Sequence, residues 1–206
     1  MKTRKEKFDD DELSRYLMRH STHGIEPFLN IVPKLSPGQY WKFLRDIWMN
    51  VEVIQPDQRT WLRLFQSKKT NRKCLMLAEE HEKLAELPDS IEIWRGCGEL
   101  SGVRGMSWTL DRKIAEYFSA YAVGQRRRML AHIWPEANVK PFVVRAKCQK
   151  TDVIAYFEER QEKEIVVDPK FVTNLRKYPA SKKVKYPWKS DVLQRLSVNP
   201  AKGDGA

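Results

Sequence analysis

The chain has 206 residues, with 38 Lys and Arg against 27 Asp and Glu, giving a formal charge of +11 and an isoelectric point near 9.6. That length suits one domain with a real core, and no run approaches the length of a membrane span; the charged amino terminus has no apolar segment behind it. A surface this basic attracts polyanions, chiefly RNA, DNA or an acidic protein, while three scattered cysteines (Cys74, Cys97, Cys148) suit neither a disulfide framework nor a zinc site and are expected as reduced thiols of a cytoplasm.

In chain order, residues 1 to about 12 read as a charged, loosely ordered start, and Leu13 to Met18 as the beginning of a short helix. Ser36-Pro37-Gly38 signals a helix start: Ser36 can cap, and Pro37 suits the first helical position. Tyr40, Trp41, Phe43, Leu44, Ile47 and Trp48 then supply an apolar stripe. Helical runs follow at 57–66, with Trp61, Leu62, Leu64 and Phe65, and at 74–87, ending at Pro88. Such stripes are expected as structural helices packed on a later sheet.

From Ser90 the period changes to alternation, with strands expected at 91–96, 104–109, 141–148, 152–157 and 163–168 and one more at 170–176. Among them lies one helix, 112–122, extending toward 131; Asp111 caps it, and Ile114, Tyr117, Phe118 and Tyr121 fall at helical spacing. Helices followed by strands make an α+β chain. Gly96, Gly98, Gly102 and Gly105 do not form a G-x-G-x-x-G fingerprint, so nothing points to a Rossmann site. Positive charge gathers in Arg126, Arg127 and Arg128, and in a carboxyl-terminal stretch holding Arg176, Lys177, Lys182, Lys183, Lys185 and Lys189 interleaved with Tyr178, Tyr186 and Trp188. Basic residues mixed with aromatics suit phosphate tracking and base stacking; a solvated tail with a few core aromatics is the plainer alternative.

Three segments carry chemistry. Ile91-Glu92-Ile93-Trp94-Arg95-Gly96 is an alternating strand ending in aromatic–Arg–Gly. Gly105-Met106-Ser107-Trp108-Thr109 puts Ser107 and Thr109 on one strand face, with Trp108 turned the other way into the core. Glu162-Lys163-Glu164 opens the apolar Ile165-Val166-Val167 run, and a strand's period of two points both glutamates the same way. In this order the segments resemble the mono-ADP-ribosyltransferase family of the arginine–serine–glutamate class, which includes bacterial toxins and phage enzymes. The resemblance covers about residues 91 to 169 and rests on the order of three short motifs.

The resemblance implies a single domain: a helical part (1–89), a transferase-like core with a split sheet and an NAD cleft between two small sheets (90–176), and a basic tail (177–206). It implies that Glu164 is the catalytic carboxylate beside the NAD ribose, with Ser107 hydrogen-bonded to it and Thr109 supporting the cleft. Arg95 would grip the pyrophosphate or adjoining ribose; a strand-end salt bridge to the 158–164 glutamates is its alternative. Gly96 would meet the nicotinamide amide, and Tyr117 or Phe118 would stack on nicotinamide or else pack in the core. Glu162 would orient or deprotonate the acceptor. No metal is implied: His20 and His23 are three apart without a third ligand, and His81 and His132 read as surface or packing residues.

The expected function is NAD-dependent ADP-ribose transfer by a cytoplasmic toxin or phage-conflict enzyme with an antitoxin partner. The basic charge favours nucleic acid, RNA above all, as acceptor. A protein arginine is the alternative that Glu-x-Glu supplies. NAD hydrolysis without an acceptor and a non-enzymatic nucleic-acid-binding module complete the set.

Overall fold

A computed structural model describes residues 9–20, 25–50, 58–98, 100–130 and 140–181. The helical part holds α1 (Asp10–His20), α2 (Glu26–Ile31), α3 (Pro37–Asn50), α4 (Gln58–Phe65) and α5 (Ala78–Glu86). The strands are β1 (Ser90–Cys97), β2 (Ser107–Thr109), β3 (Phe142–Gln149), β4 (Val153–Phe157), β5 (Glu164–Val167) and β6 (Thr173–Pro179), with α6 (Arg112–Leu130) between β2 and β3. This is the expected α+β order of helices first and strands after. His23, His132 and the tail from Lys182 onward lie outside the described residues, as do the side chains of His20, Arg126, Arg127 and Arg128.

The start of α3 follows from its sequence. Ser36 N–H donates to Gln39 Oε1 (3.0 Å) and Gln39 N–H donates back to Ser36 Oγ (3.3 Å), a reciprocal cap with Pro37 opening the helix. Tyr40, Trp41, Phe43, Leu44, Ile47 and Trp48 are all buried, and so is Arg45 on the same helix. Trp48 meets Trp61 and Phe65 of α4 edge-on, with ring centroids 5.0 Å apart in both pairs. This core continues through Met106, Ala155, Phe157 and Val166, so the helices sit on the β2–β5–β4 end of the sheet. A second core lies on the opposite face, built from Ile91, Ile93, Trp108, Val144, Ala146, Ile165 and Val167. Alternation along β5 divides its residues between the two, Val166 to one and Ile165 and Val167 to the other.

The strands form one antiparallel sheet in the order β4-β5-β2-β1-β3-β6. The expected division into two sheets is therefore corrected, although the seam where it would fall is plain. β1 pairs with β3 along its whole length, from Ser90–Gln149 to Cys97–Phe142, but meets β2 only at Trp94–Thr109. The cause is the shortness of β2, whose chain leaves the sheet at once: Asp111 Oδ1 accepts from Lys113 N–H (2.7 Å) and caps α6 as expected. Of the expected strand 104–109 only Ser107–Thr109 forms, Arg104 closing a 3-10 turn that begins at Leu100, and β6 reaches Pro179, taking Lys177 and Tyr178 out of the tail. The third helical run divides into a 3-10 turn at Arg72–Leu75 and then α5, and α2 has no counterpart among the expected elements.

α6 lies on β1 with its backbone almost in contact. A Cβ built on Gly96 falls 2.1 Å from the Ala115 carbonyl oxygen and 2.4 Å from the Ser119 nitrogen, so only glycine fits under this helix. The close approach also corrects the expected stripe. The buried line is Ile114, Ala115, Ser119 and Val123, because small side chains permit the contact, and Tyr121 is left 37% exposed. Among the described residues no helix is long and apolar enough to cross a membrane. Because the clash at Gly96 is with backbone, Gly96→Ala is expected to destabilise the fold by ~3 kcal/mol, read as a lower urea midpoint.

Candidate active site

The site lies at the seam where β1 and β2 part beyond Trp94–Thr109. Arg95 bridges this gap: Nε donates to the Gly102 carbonyl (2.7 Å) and Nη1 to the Ser107 carbonyl (2.5 Å). Its guanidinium crosses Gly105, where a Cβ would sit 2.2 Å from the Arg95 Cζ, so that glycine makes room for the cation. Among the described residues Arg95 binds these carbonyls and forms no ion pair with the 158–164 glutamates, the alternative weighed for it. Burial pushes the Arg95 guanidinium below its ordinary pKa, with Cys97 and Glu164 opposing.

Ser107 turns its other group to Glu164. Ser107 pairs with Val166 and Thr109 with Glu164 across β2 and β5, so Ser107, Thr109 and Glu164 share one sheet face. Ser107 Oγ donates to Glu164 Oε1 at 2.5 Å, and Trp48 Nε1–H of α3 donates to the same oxygen at 3.2 Å. Glu164 is only 3% exposed, and its Oε2 is buried without a hydrogen-bond partner among the described residues. Burial raises the Glu164 pKa, while Arg160, Ser107, Trp48 and Arg95 all act to lower it. Arg95, Ser107 and Glu164, chosen from three separate segments, are thus linked in one chain of hydrogen bonds.

Glu162 comes to the same place by another route than expected. It does not share a strand with Glu164: β5 begins at Glu164, and Gln161 (φ 57°) and Lys163 (φ 47°) flank Glu162 with left-handed backbone. What unites the two carboxylates is Arg160, whose Nη2 lies 2.8 Å from Glu162 Oε2 and 4.0 Å from Glu164 Oε2. Thr109 Oγ1 donates to the Glu162 carbonyl (2.6 Å), which makes Thr109 a support of this loop. Glu162 is buried, and burial with help from Glu164 pushes its carboxyl from the ordinary 4.5 to about 7 against the pull of Arg160. Burial raises the phenol of Tyr117 of α6, with Tyr121 and then the Glu162 charge adding to it, and its ring stacks on that of Tyr121 at 6.3 Å.

The loop from 158 to 163 is pinned on its outer side. Arg45, buried in α3, binds Glu159 Oε2 (2.8 Å) and Glu80 Oε1 (3.2 Å), and Lys83 pairs with Glu158. Glu80 Oε1 also accepts from the Glu158 N–H at 3.0 Å. α3 therefore touches both the catalytic candidate, through Trp48, and the loop that carries Glu162, through Arg45.

Two participants escaped the sequence reading. Trp48 looked like any other member of an apolar stripe, and nothing in that stripe tells which indole N–H meets a carboxylate. Arg160 had a signal, since Arg160, Glu162 and Glu164 are spaced two apart. The space beside Gly96 is taken by α6, and Phe118 belongs to that contact through its backbone, its ring lying edge-on to Tyr117. Cys97 is buried, and burial pushes its thiol up, which suits a filler and not a nucleophile. A surface hollow lined by Glu12, Leu13, Tyr16, Asn30, Ile31 and Lys34 shares no residue with the site. Comparisons of this chain with protein-family models, with curated proteins and with solved structures give no match.

The raised Glu162 pKa sets a pH dependence of stability. Between about 4.5 and about 7 the folded chain holds a proton that the unfolded chain has lost. Stability therefore falls as pH rises through that window, by at most ~1.4 kcal/mol per unit. Glu162→Gln is expected to flatten this slope, measured as urea midpoints at pH 5 and pH 7.5. Trp48→Phe removes one donor from Glu164 and some packing volume. It is expected to cost ~2 kcal/mol and to move the Glu164 titration upward, followed by carboxyl carbon NMR.

Proposed function

We propose that this chain is an NAD-dependent mono-ADP-ribosyltransferase of the arginine–serine–glutamate kind, an intracellular toxin or phage-conflict enzyme that modifies nucleic acid. The observation that carries the proposal is the Ser107–Glu164 hydrogen bond of 2.5 Å, with Arg95 bound to the same serine. Convergence of residues 95, 107 and 164 is what the sequence resemblance requires, and it did not follow from the composition.

The chemistry fits the groups present. Breaking the bond between nicotinamide and ribose builds positive charge on the ribose, and nicotinamide leaves with the bonding pair. A fixed carboxylate beside the anomeric carbon stabilises that charge. Ser107 and Trp48 hold Oε1 of Glu164, and Oε2, which has no hydrogen bond among the described residues, would be the oxygen toward the reacting carbon. In a buried site such an oxygen interacts strongly, because little water screens it. Arg95 supplies a guanidinium for the dinucleotide's phosphates, held in place by the Gly102 and Ser107 carbonyls. Glu162, with a pKa of about 7, is suited to take a proton from the incoming nucleophile near neutral pH.

Nucleic acid as the acceptor draws support from the sheet face beside α6. There Arg112 lies over both Trp94 (5.3 Å) and Tyr178 (5.8 Å), and Arg145 lies over Tyr178 (5.9 Å). Lys147 and Arg176 on the neighbouring strands are exposed. Cations stacked with aromatics suit backbone tracking and base contact, and the same charge suits an acidic antitoxin. That face also favours the second reading, a binding module without catalysis, in which Glu164 has no part.

The two readings separate with labelled NAD. Wild type incubated with adenylate-labelled NAD and a cell extract is expected to transfer label to nuclease-sensitive material, and Glu164→Gln to lower transfer on the order of 10²-fold. Protease-sensitive label would redirect the acceptor to protein. NAD left intact by wild type, with the extract unlabelled, would leave the binding module.

A further inference from the structure

We infer that Arg160 is a built-in occupant of the acceptor side of this site, and that it bars arginine side chains from acting as acceptors; the inference rests on the transferase reading. The Arg160 guanidinium sits in a cradle of negative groups. Nη2 is 2.8 Å from Glu162 Oε2 and 4.0 Å from Glu164 Oε2, and Nη1 donates to the Met49 carbonyl at 2.6 Å. Met49 is in the last turn of α3, where helix carbonyls lack partners within the helix and carry partial negative charge. Two carboxylates and one such carbonyl, disposed around a planar fork, make a guanidinium-binding site.

The chain holds its own ligand there firmly. Glu158 and Glu159 are anchored to Lys83 and Arg45, and left-handed backbone at Gln161 and Lys163 turns Glu162 back toward the arginine. Left-handed non-glycine residues persist only where surrounding contacts enforce them. Arg160 is also the most exposed of the three, with its side chain 37% accessible against 9% for Glu162 and 4% for Glu164. A ligand approaching the carboxylates from solvent meets this cation. Its Nε is buried without a hydrogen-bond partner among the described residues, so the side chain is kept there by its terminal nitrogens.

A second guanidinium gains little at this place. It would need the same oxygens and would lie within a few ångströms of a like charge, where repulsion is strong and screening weak. A neutral nucleophile, such as a hydroxyl or an exocyclic amine of a nucleic acid, needs neither to displace Arg160 nor to tolerate its charge. Arg160 is in this sense a specificity residue. Without it, a free guanidine can enter. Its nitrogen then forms the bond to the ribose anomeric carbon as the bond to nicotinamide breaks; nicotinamide departs with the electron pair, and the guanidinium proton passes to Glu162.

The test uses the full chain as wild type, Arg160→Ala and Arg160→Gln, the last keeping length and hydrogen bonding should alanine impair folding. The probe is methylguanidinium at low millimolar concentration, against sodium chloride of equal ionic strength. Saturable thermal stabilisation of the variants but not of wild type supports the occupied site. Equal response of folded wild type and variant overturns it. With NAD added, the variants are expected to form ADP-ribosyl-methylguanidine at least about tenfold faster than wild type, read by mass spectrometry. A variant that consumes NAD and forms no more adduct than wild type overturns the exclusion. NAD untouched by every chain overturns the transferase reading alone, and the stabilisation arm still decides whether Arg160 fills a guanidinium site.

Discussion

The buried carboxylate of Glu164 is the constraint on which the rest of this structure depends. A carboxylate taken from water needs donors or cations in return, and each element around the seam supplies one. β2 gives the Ser107 hydroxyl, α3 gives the Trp48 indole, and the 158–163 loop gives Arg160. Arg95 reaches the group through the serine it shares with it. The compensation is incomplete: one oxygen, Oε2, has the Arg160 cation 4.0 Å away but no hydrogen-bond partner among the described residues. A buried polar atom in that state calls for an explanation, and use by a reacting ligand is one.

The second carboxylate differs from the first in a useful way. Glu162 has the charge of Arg160 at hydrogen-bond distance and still titrates near 7, whereas Glu164 has two neutral donors and a more distant cation. Burial raises both carboxyls, and their unlike partners suit them to unlike roles, Glu162 as the proton acceptor. Their separation is enforced by backbone, since Glu162 stands outside β5 and is held by Thr109 through its carbonyl. The helical part also takes part in the site, because α3 contributes Trp48 and, through Arg45, clamps the loop from behind.

Much of this was legible in the sequence, for definable reasons. Helix starts with side-chain caps, Ser36 and Asp111, could be placed because capping is local chemistry. Strand positions came within a few residues because alternation is local too. Arg95, Ser107 and Glu164 could be grouped from the order of their motifs, though only the folded chain brings them within hydrogen-bond reach. What stayed hidden is non-local or free of side-chain signal. The left-handed backbone at Gln161 and Lys163 is imposed by the clamped loop on residues that carry no turn signature. The backbone of α6 lies where a side chain at Gly96 would stand, a close approach that local pattern does not show. The sheet's narrow seam depends on β2 ending after three residues, which alternation alone does not reveal.

The central claim is that Glu164 Oε2 faces the reacting carbon of NAD. The direct measurement is a crystal structure of the chain with a non-hydrolysable NAD analogue. The account predicts the nicotinamide ribose at the seam, its anomeric carbon about 3–3.5 Å from Glu164 Oε2, with the phosphates against Arg95. An analogue bound elsewhere, or none at the seam under saturating conditions, would contradict it.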